Sequence, residues 1–347
     1  MIMLPKYFEE WNMRYAFPIQ KEYTEKVCAR LQREMQPVAG MLTEQIEDFM
    51  KNVSIIQNKA PFEAGCIQGA LLAGSVREGS PRLIYEVFDA GQEFGTVMAA
   101  KEYSLSWLFA EWEELESMLV KSIASNGYAA RLTKEAVYYV MNEQIKVHMY
   151  LLSFLAKYVF GAFDRLEYFP ELKRSEQFYA SMGAYRDYAK VFYKDRQGNE
   201  IFASGTDKDY DFARFHKLAY KKKNIMAYSF QNAIFTECIF KDVNMAGCDF
   251  TDCRFINCSF DNVSISGGRI SGCLWLDGRL RKVSFDEVFC KSGVITENGK
   301  LIDICKKAEF RGVIMNEVCF SKMDKEECDF TECIYGNDEE TAKEAAE

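Results

Sequence analysis

From Phe230 to Phe285 an apolar residue recurs at every fifth position without interruption: Phe230, Phe235, Phe240, Met245, Phe250, Phe255, Phe260, Ile265, Ile270, Trp275, Leu280 and Phe285. Two residues before each centre stands a small or β-branched residue. These are Ala233, Cys238, Val243, Cys248, Cys253, Cys258, Val263, Gly268, Cys273, Gly278 and Val283, with Tyr228 as the large exception. A period of five fits neither the 3.6 of a helix nor the 2 of a strand. It fits a tube of square cross-section that turns a corner at every pentapeptide, four to a coil. Both marked positions then face inward and meet their equivalents in the next coil. Phe235, Phe255 and Trp275 form one predicted column, and Phe240, Phe260 and Leu280 another. Val243, Val263, Val283 and the pair Cys253, Cys273 are smaller ones. Backbone hydrogen bonds would hold successive coils about 4.8 Å apart.

Tandem units such as Cys248-Asp249-Phe250, Cys253-Arg254-Phe255 and Cys258-Ser259-Phe260 resemble the pentapeptide-repeat family. That resemblance implies a right-handed quadrilateral β-helix over roughly the last third of the chain. The commonest family unit has Ala, then Asp or Asn, then Leu, whereas the middle position here is mixed (Ile239, Arg254, Ser259, Arg269). The rhythm resumes with Ala308/Phe310, Val313/Met315, Val318/Phe320, Cys328/Phe330 and Cys333/Tyr335. One unit fails, with Lys325 at a centre position. Between the two runs, Val294 to Ile304 contains residues ill suited to a core. Glu297-Asn298-Gly299-Lys300, flanked by Ile295 and Leu301, has the composition of a tight hairpin turn. A hairpin thrown out of the stack is predicted, with Glu297, Asn298, Gly299 and Lys300 as a candidate interaction loop.

The earlier sequence has helical periodicity. Predicted helices run from Leu105 to Ile123, through Ile46, Phe49, Met50, Val53 and Ile56, from Thr133 towards Phe160, and from the cap Ser80-Pro81 through Ile84, Val87 and Phe88. A β-hairpin is expected near 190–203, and a short helix from Phe212 to Tyr220. The expected architecture is α+β with two domains. Residues 1–227 form a mainly helical domain that caps the first coil, 228–335 form the β-helix, and 336–347 an acidic tail.

Composition narrows the function. The net charge of −9 arises mostly beyond residue 227, and Lys221-Lys222-Lys223 is the only dense basic cluster, read as a solvated linker. Direct nucleic-acid binding is therefore not expected. Nor is a membrane partner, since the most apolar run, Met149 to Phe163, is short and broken by Lys157. Seven of the twelve cysteines take the small inward position: Cys238, Cys248, Cys253, Cys258, Cys273, Cys328 and Cys333. They read as free thiol filler in a reducing cytoplasm, not as disulfide or metal sites. No nucleophile, phosphate-loop or zinc motif occurs, so no catalytic, metal or cofactor-binding residue is assigned. His148 reads as a satisfied, partly buried histidine, and Glu111, Glu113, Glu114 and Glu116 as a solvated helix face. The expected function is a non-enzymatic bacterial interaction protein with a protein partner. The resemblance also implies an alternative, a mimic of duplex DNA that protects gyrase or another type II topoisomerase. Mixed charges at Arg254, Arg269, Arg279, Arg281 and Lys282 count against it. A third reading makes the helical domain an enzyme or a small-molecule receptor.

Overall fold

The computed structural model describes residues 6–90, 96–161, 163–185, 189–197, 208–297 and 300–336. Chain contacts divide it into two compact units. One holds residues 1–192 together with Val294–Asp303, the other Tyr193–Gly293 and Ile304–Glu347.

In the first unit the order is α1 (Lys6–Trp11), α2 (Phe17–Arg33), α3 (Met35–Lys59), β1 (Ala64–Leu71), α4 (Ala73–Arg77), β2 (Arg82–Asp89), β3 (Val97–Ser104), α5 (Trp112–Ser125), α6 (Lys134–Phe160), β4 (Arg174–Ala184) and β5 (Ala189–Lys194). A five-stranded sheet, ordered β3-β2-β1-β4-β5, accompanies the helices of this mainly helical part of the α+β chain. β1 pairs antiparallel with β2 and parallel with β4. α3 packs on β2 and β3, and α6 on β4, where the Ser153 hydroxyl donates to the Met182 carbonyl at 2.9 Å.

The predicted helix after Ser80-Pro81 is strand β2. Leu83, Tyr85 and Val87 are fully buried, so the period that matters is two, and branched and aromatic residues suit a pleated surface. The helix expected from Leu105 begins later. A 3-10 turn at Ser106–Phe109 buries Leu108 and Phe109 before α5 starts at Trp112. α3 and α6 bury the predicted stripes, including Ile46, Phe49, Met50 and Val53 in the former and Val137, Val140, Met141 and Ile145 in the latter.

In the second unit parallel strands stack at a twenty-residue offset, which widens to thirty-five where Trp275 lies opposite Phe310 across the inserted segment. A seven-stranded sheet and a six-stranded sheet form two walls, and isolated bridges such as Ser229 to Asp249 to Arg269 to Phe289 link the coils on a further side. Phe235 lies opposite Phe255 and Phe255 opposite Trp275; Phe240 lies opposite Phe260. Each corner places a residue in the left-handed region two positions after the centre, as at Asn232, Asp242, Asp252, Asn257, Asn262 and Asp277. Asn and Asp enter that region more readily than other side chains.

The stack starts earlier than residue 228. The segment predicted as a helix from Phe212 to Tyr220 is two strands, Ala213–His216 and Ala219–Lys221, paired with the coil that follows. Lys221, Lys222 and Lys223 therefore belong to a coil and not to a linker. The predicted hairpin near 190–203 is also replaced. β5 joins the five-stranded sheet, while Arg196–Gln197 extends the seven-stranded one beside Ala213–His216. Ile201 and Phe202 lie outside the described residues, as do positions 337–347 of the acidic tail.

Candidate functional site

The inward columns of the second unit are aromatic stacks. Phe215 and Phe235 lie 4.6 Å apart at 15°, Phe235 and Phe255 4.9 Å at 14°, Phe255 and Trp275 5.2 Å at 20°, and Trp275 and Phe310 4.5 Å at 5°. Phe240 and Phe260 stack at 4.7 Å, and Phe230 and Phe250 at 5.3 Å. Rings of neighbouring columns meet edge to face, as Phe250 with Phe255 and Phe255 with Phe260 do. Offset stacking along a column and edge contacts across a corner are the two arrangements the ring quadrupole favours. Phe285 closes the adjoining corner against Phe320 at 5.1 Å. All these rings are buried except Phe320, which packs at the margin of the core.

Cys238, Cys253, Cys258 and Cys273 fill the small positions and are buried. The thiols of Cys238, Cys253 and Cys258 donate to the carbonyls of Phe215, Phe230 and Phe235 in the coil before. Burial pushes the Cys253 and Cys273 thiols far above their ordinary range, which keeps them protonated and poorly nucleophilic. Among the described residues no three His, Cys, Asp or Glu side chains gather as a metal would require. No helix among them is long and apolar enough to cross a membrane.

The outer wall carries charges in alternating sign. Asp261 sits between Lys241 at 3.8 Å and Arg281 at 2.7 Å, one coil to either side. Asp249 faces Arg269, and Lys217 faces Glu237. Asp261, Asp249 and Glu237 thus each meet a base from a neighbouring coil.

Strands Gly293–Glu297 and Lys300–Cys305 pair only with each other. Residues 294–303 cluster with the first unit, where the Lys157 ammonium, 3% exposed, lies 3.4 Å from the Asp303 carboxylate. Of the candidate interaction loop, Glu297 is exposed and Lys300 lines a groove, while Asn298 and Gly299 lie outside the described residues. The groove measures about 430 Å³ and is walled by Phe17 and Lys21 of α2, Val147, Tyr150 and Phe154 of α6, and Lys300 and Leu301. Its floor holds Gln20, Thr24 and Gln144, and Gln144 Nε2 donates to Thr24 Oγ1 at 3.0 Å. Sequence reasoning missed this groove, because its walls come from three distant segments.

His148 is not among the residues lining that groove and is fully buried. Its Nδ1 is 3.0 Å from the Gln144 carbonyl, which can only accept, so Nδ1 carries the proton. Nε2 then accepts from the Tyr23 hydroxyl at 3.1 Å. The ring stacks on Phe109 at 4.4 Å and meets Trp112 edge-on. Burial pushes its pKa down to about 4. Both ring nitrogens are thus occupied and the imidazole is closed off from solvent.

A family model described as pentapeptide repeats, in eight copies, matches residues 238–274. No curated protein matches the chain significantly. Solved structures that resemble it include the pentapeptide repeat protein Rfr23 from the cyanobacterium Cyanothece. It is 7% identical with a TM-score of 0.28, over 38% of this chain and 88% of that one. QnrB1, a plasmid-mediated fluoroquinolone resistance protein, is 10% identical with a TM-score of 0.25, over 41% and 89%. HetL, a pentapeptide repeat protein of Nostoc involved in heterocyst differentiation regulation, is 9% identical with a TM-score of 0.11, over 38% and 88%. None of these likenesses bears on function. The fivefold ladder, the parallel register and the matched repeats fall on one stretch, and the C-terminal part of this chain is a pentapeptide-repeat β-helix.

Proposed function

We propose that the protein is a non-enzymatic interaction protein of a reducing bacterial cytoplasm, whose β-helix offers a rigid outer face to a protein partner. The observation that carries this reading is the filled interior. Columns from Phe215 to Phe310 bury their rings to 1% exposure or less, so the unit acts through its surface. Side chains on a stacked ladder are fixed before binding, which lowers the ordering cost of association. The occupied, depressed His148 favours a structural over a catalytic role for the first unit's buried imidazole.

The topoisomerase-protector alternative requires a continuous negative face. Ladders such as Lys241, Asp261 and Arg281 cancel charge coil by coil and favour a general protein partner. The test is affinity capture with the full chain and with the variant Lys241→Ala/Arg281→Ala, followed by a gyrase supercoiling assay. A partner retained by the parent and lost by the variant is expected. A set of partners unchanged by substitutions on every outer face would overturn the proposal. Protection of gyrase by the full chain would move the assignment to the alternative.

A further inference from the structure

The groove of the first unit has a chemistry of its own. Its walls are apolar or aromatic, from Phe17, Val147, Tyr150, Phe154 and Leu301. Phe17 and Tyr150 are 48% and 51% exposed, a large apolar rim left in water. Solitary exposed apolar residues need no explanation, but several converging on one concavity do. The floor is polar yet satisfied internally. Thr24 and Gln144 are 5% and 1% exposed, and Thr24 Oγ1 donates to the Gln20 carbonyl while accepting from Gln144. Those groups therefore form a fixed base and demand no ligand atoms of their own. Among the described lining residues the charged groups are Lys21 and Lys300, with no carboxylate. Glu25 approaches Lys21 only at 3.9 Å and lies off the lining. About 430 Å³ is within the range of pockets that hold small organic ligands.

We propose that this groove binds a small amphipathic monoanion, a hydrocarbon or aromatic body bearing one carboxylate. The body lies along Phe17, Val147, Tyr150, Phe154 and Leu301, and the carboxylate faces the ammonium groups of Lys21 and Lys300. The apolar walls supply affinity by removing hydrocarbon from water, and the lysines select the anion over neutral or cationic analogues. This site stands apart from whatever the β-helix faces bind.

The test uses the full chain and the fluorescent probe dansyl-undecanoate, displaced in parallel by dodecanoate, naphthaleneacetate, dodecanol and dodecyltrimethylammonium. Saturable binding at one site is expected, with displacement by an anion at least tenfold better than by the alcohol and worst by the cation. Preference between dodecanoate and naphthaleneacetate identifies the body as aliphatic or aromatic. In Lys21→Glu/Lys300→Glu the advantage of dodecanoate over dodecanol should vanish while dodecanol changes less than twofold. Val147→Trp should abolish binding of both. Phe17→Ala, at a half-exposed rim position that tolerates change, should weaken both if the tryptophan variant fails to fold. Absence of saturable displacement, equal competition by dodecanoate and dodecanol, or unchanged affinity in folded Val147→Trp would overturn the proposal.

Discussion

Gly267 and Gly268 are neighbours in the chain, and the structure separates what each contributes. Gly267 holds φ at +66°, and a Cβ there would meet nothing within 4 Å. Gly268 has no such φ, but a Cβ built on it lies 2.7 Å from the Cys248 carbonyl oxygen and 2.9 Å from that of Ile265. Both oxygens are committed: Arg269 N donates to the first at 2.9 Å, and Gly268's own N to the second at 3.1 Å. Neither can rotate away, so an alanine must push two coils apart by about half an ångström to reach ordinary contact. Cys248 and Val288 occupy the same column and carry a Cβ, so the backbone can accommodate one after shifting. Gly268→Ala should accordingly cost about 1–3 kcal/mol, the usual range for overpacking. Gly267→Ala should cost only about 1 kcal/mol, because left-handed backbone is its whole penalty. Gly40 in α3 also has nothing within 4 Å of its built Cβ, and Gly40→Ala should stabilise the first unit by roughly 0.5–1 kcal/mol. Two units make a single melting temperature ambiguous. Amide exchange of peptides spanning 240–290, read by mass spectrometry, isolates the local opening free energy. If Gly268→Ala peptides exchange no faster than those of Gly267→Ala, the close approach of the coils is not what this glycine serves.

Three further outcomes are expected. Phe255→Ala removes a ring stacked between Phe235 and Trp275 and should destabilise the β-helix by roughly 3–5 kcal/mol, visible in denaturant unfolding; a loss below about 1 kcal/mol would deny the column its role. His148 has its folded pKa depressed from 6.5 to about 4, so the unfolded chain takes up the proton first as pH falls. Stability of the first unit should therefore be full above about pH 6.5 and decline by on the order of 3 kcal/mol towards pH 4; a flat profile, or one that His148→Gln leaves unchanged, would contradict this. Asp303→Asn strips one charge beside buried Lys157 and should raise amide exchange of 294–297 and 300–303 by about tenfold, about 1.4 kcal/mol, whereas Lys157→Met/Asp303→Leu together should cost less than Asp303→Asn alone.

The β-helix was legible where each pentapeptide repeats the same instruction. Its first coil was hidden although Tyr210, Phe215, Tyr220 and Ile225 keep the rhythm. There the small position holds Leu218 and Lys223, and the left-handed corners fall on Phe212, Lys217, Lys222 and Ala227 in place of Asn, Asp or Gly. Stacking against the next coil imposes a conformation that local composition does not announce. The sheet of the first unit was illegible for a related reason. β1 is rich in Ala and Gly and mostly buried along its length, which erases the alternation that betrays a half-buried strand. Its parallel partner β4 lies about a hundred residues later, beyond the reach of any local pattern.

The same contrast decides which surfaces sequence can reveal. In a stack each layer touches only its neighbours, so burial, corner geometry and outward charge all follow from position within a short unit. Lys241, Asp261 and Arg281 could be placed on one wall by counting, and their ion pairs follow from the coil spacing. A concavity assembled from residues 17–24, 144–154 and 300–301 has no such rule. Residues 294–303, inserted between repeats of one unit, complete the wall of the other. Lys300, singled out as the flank of a tight turn, thereby gains its chemical setting from α2 and α6 and not from the strands beside it in sequence. Local periodicity specifies the β-helix faces, while long-range packing creates the groove, and this is why sequence patterning announced the stack without pointing to the site.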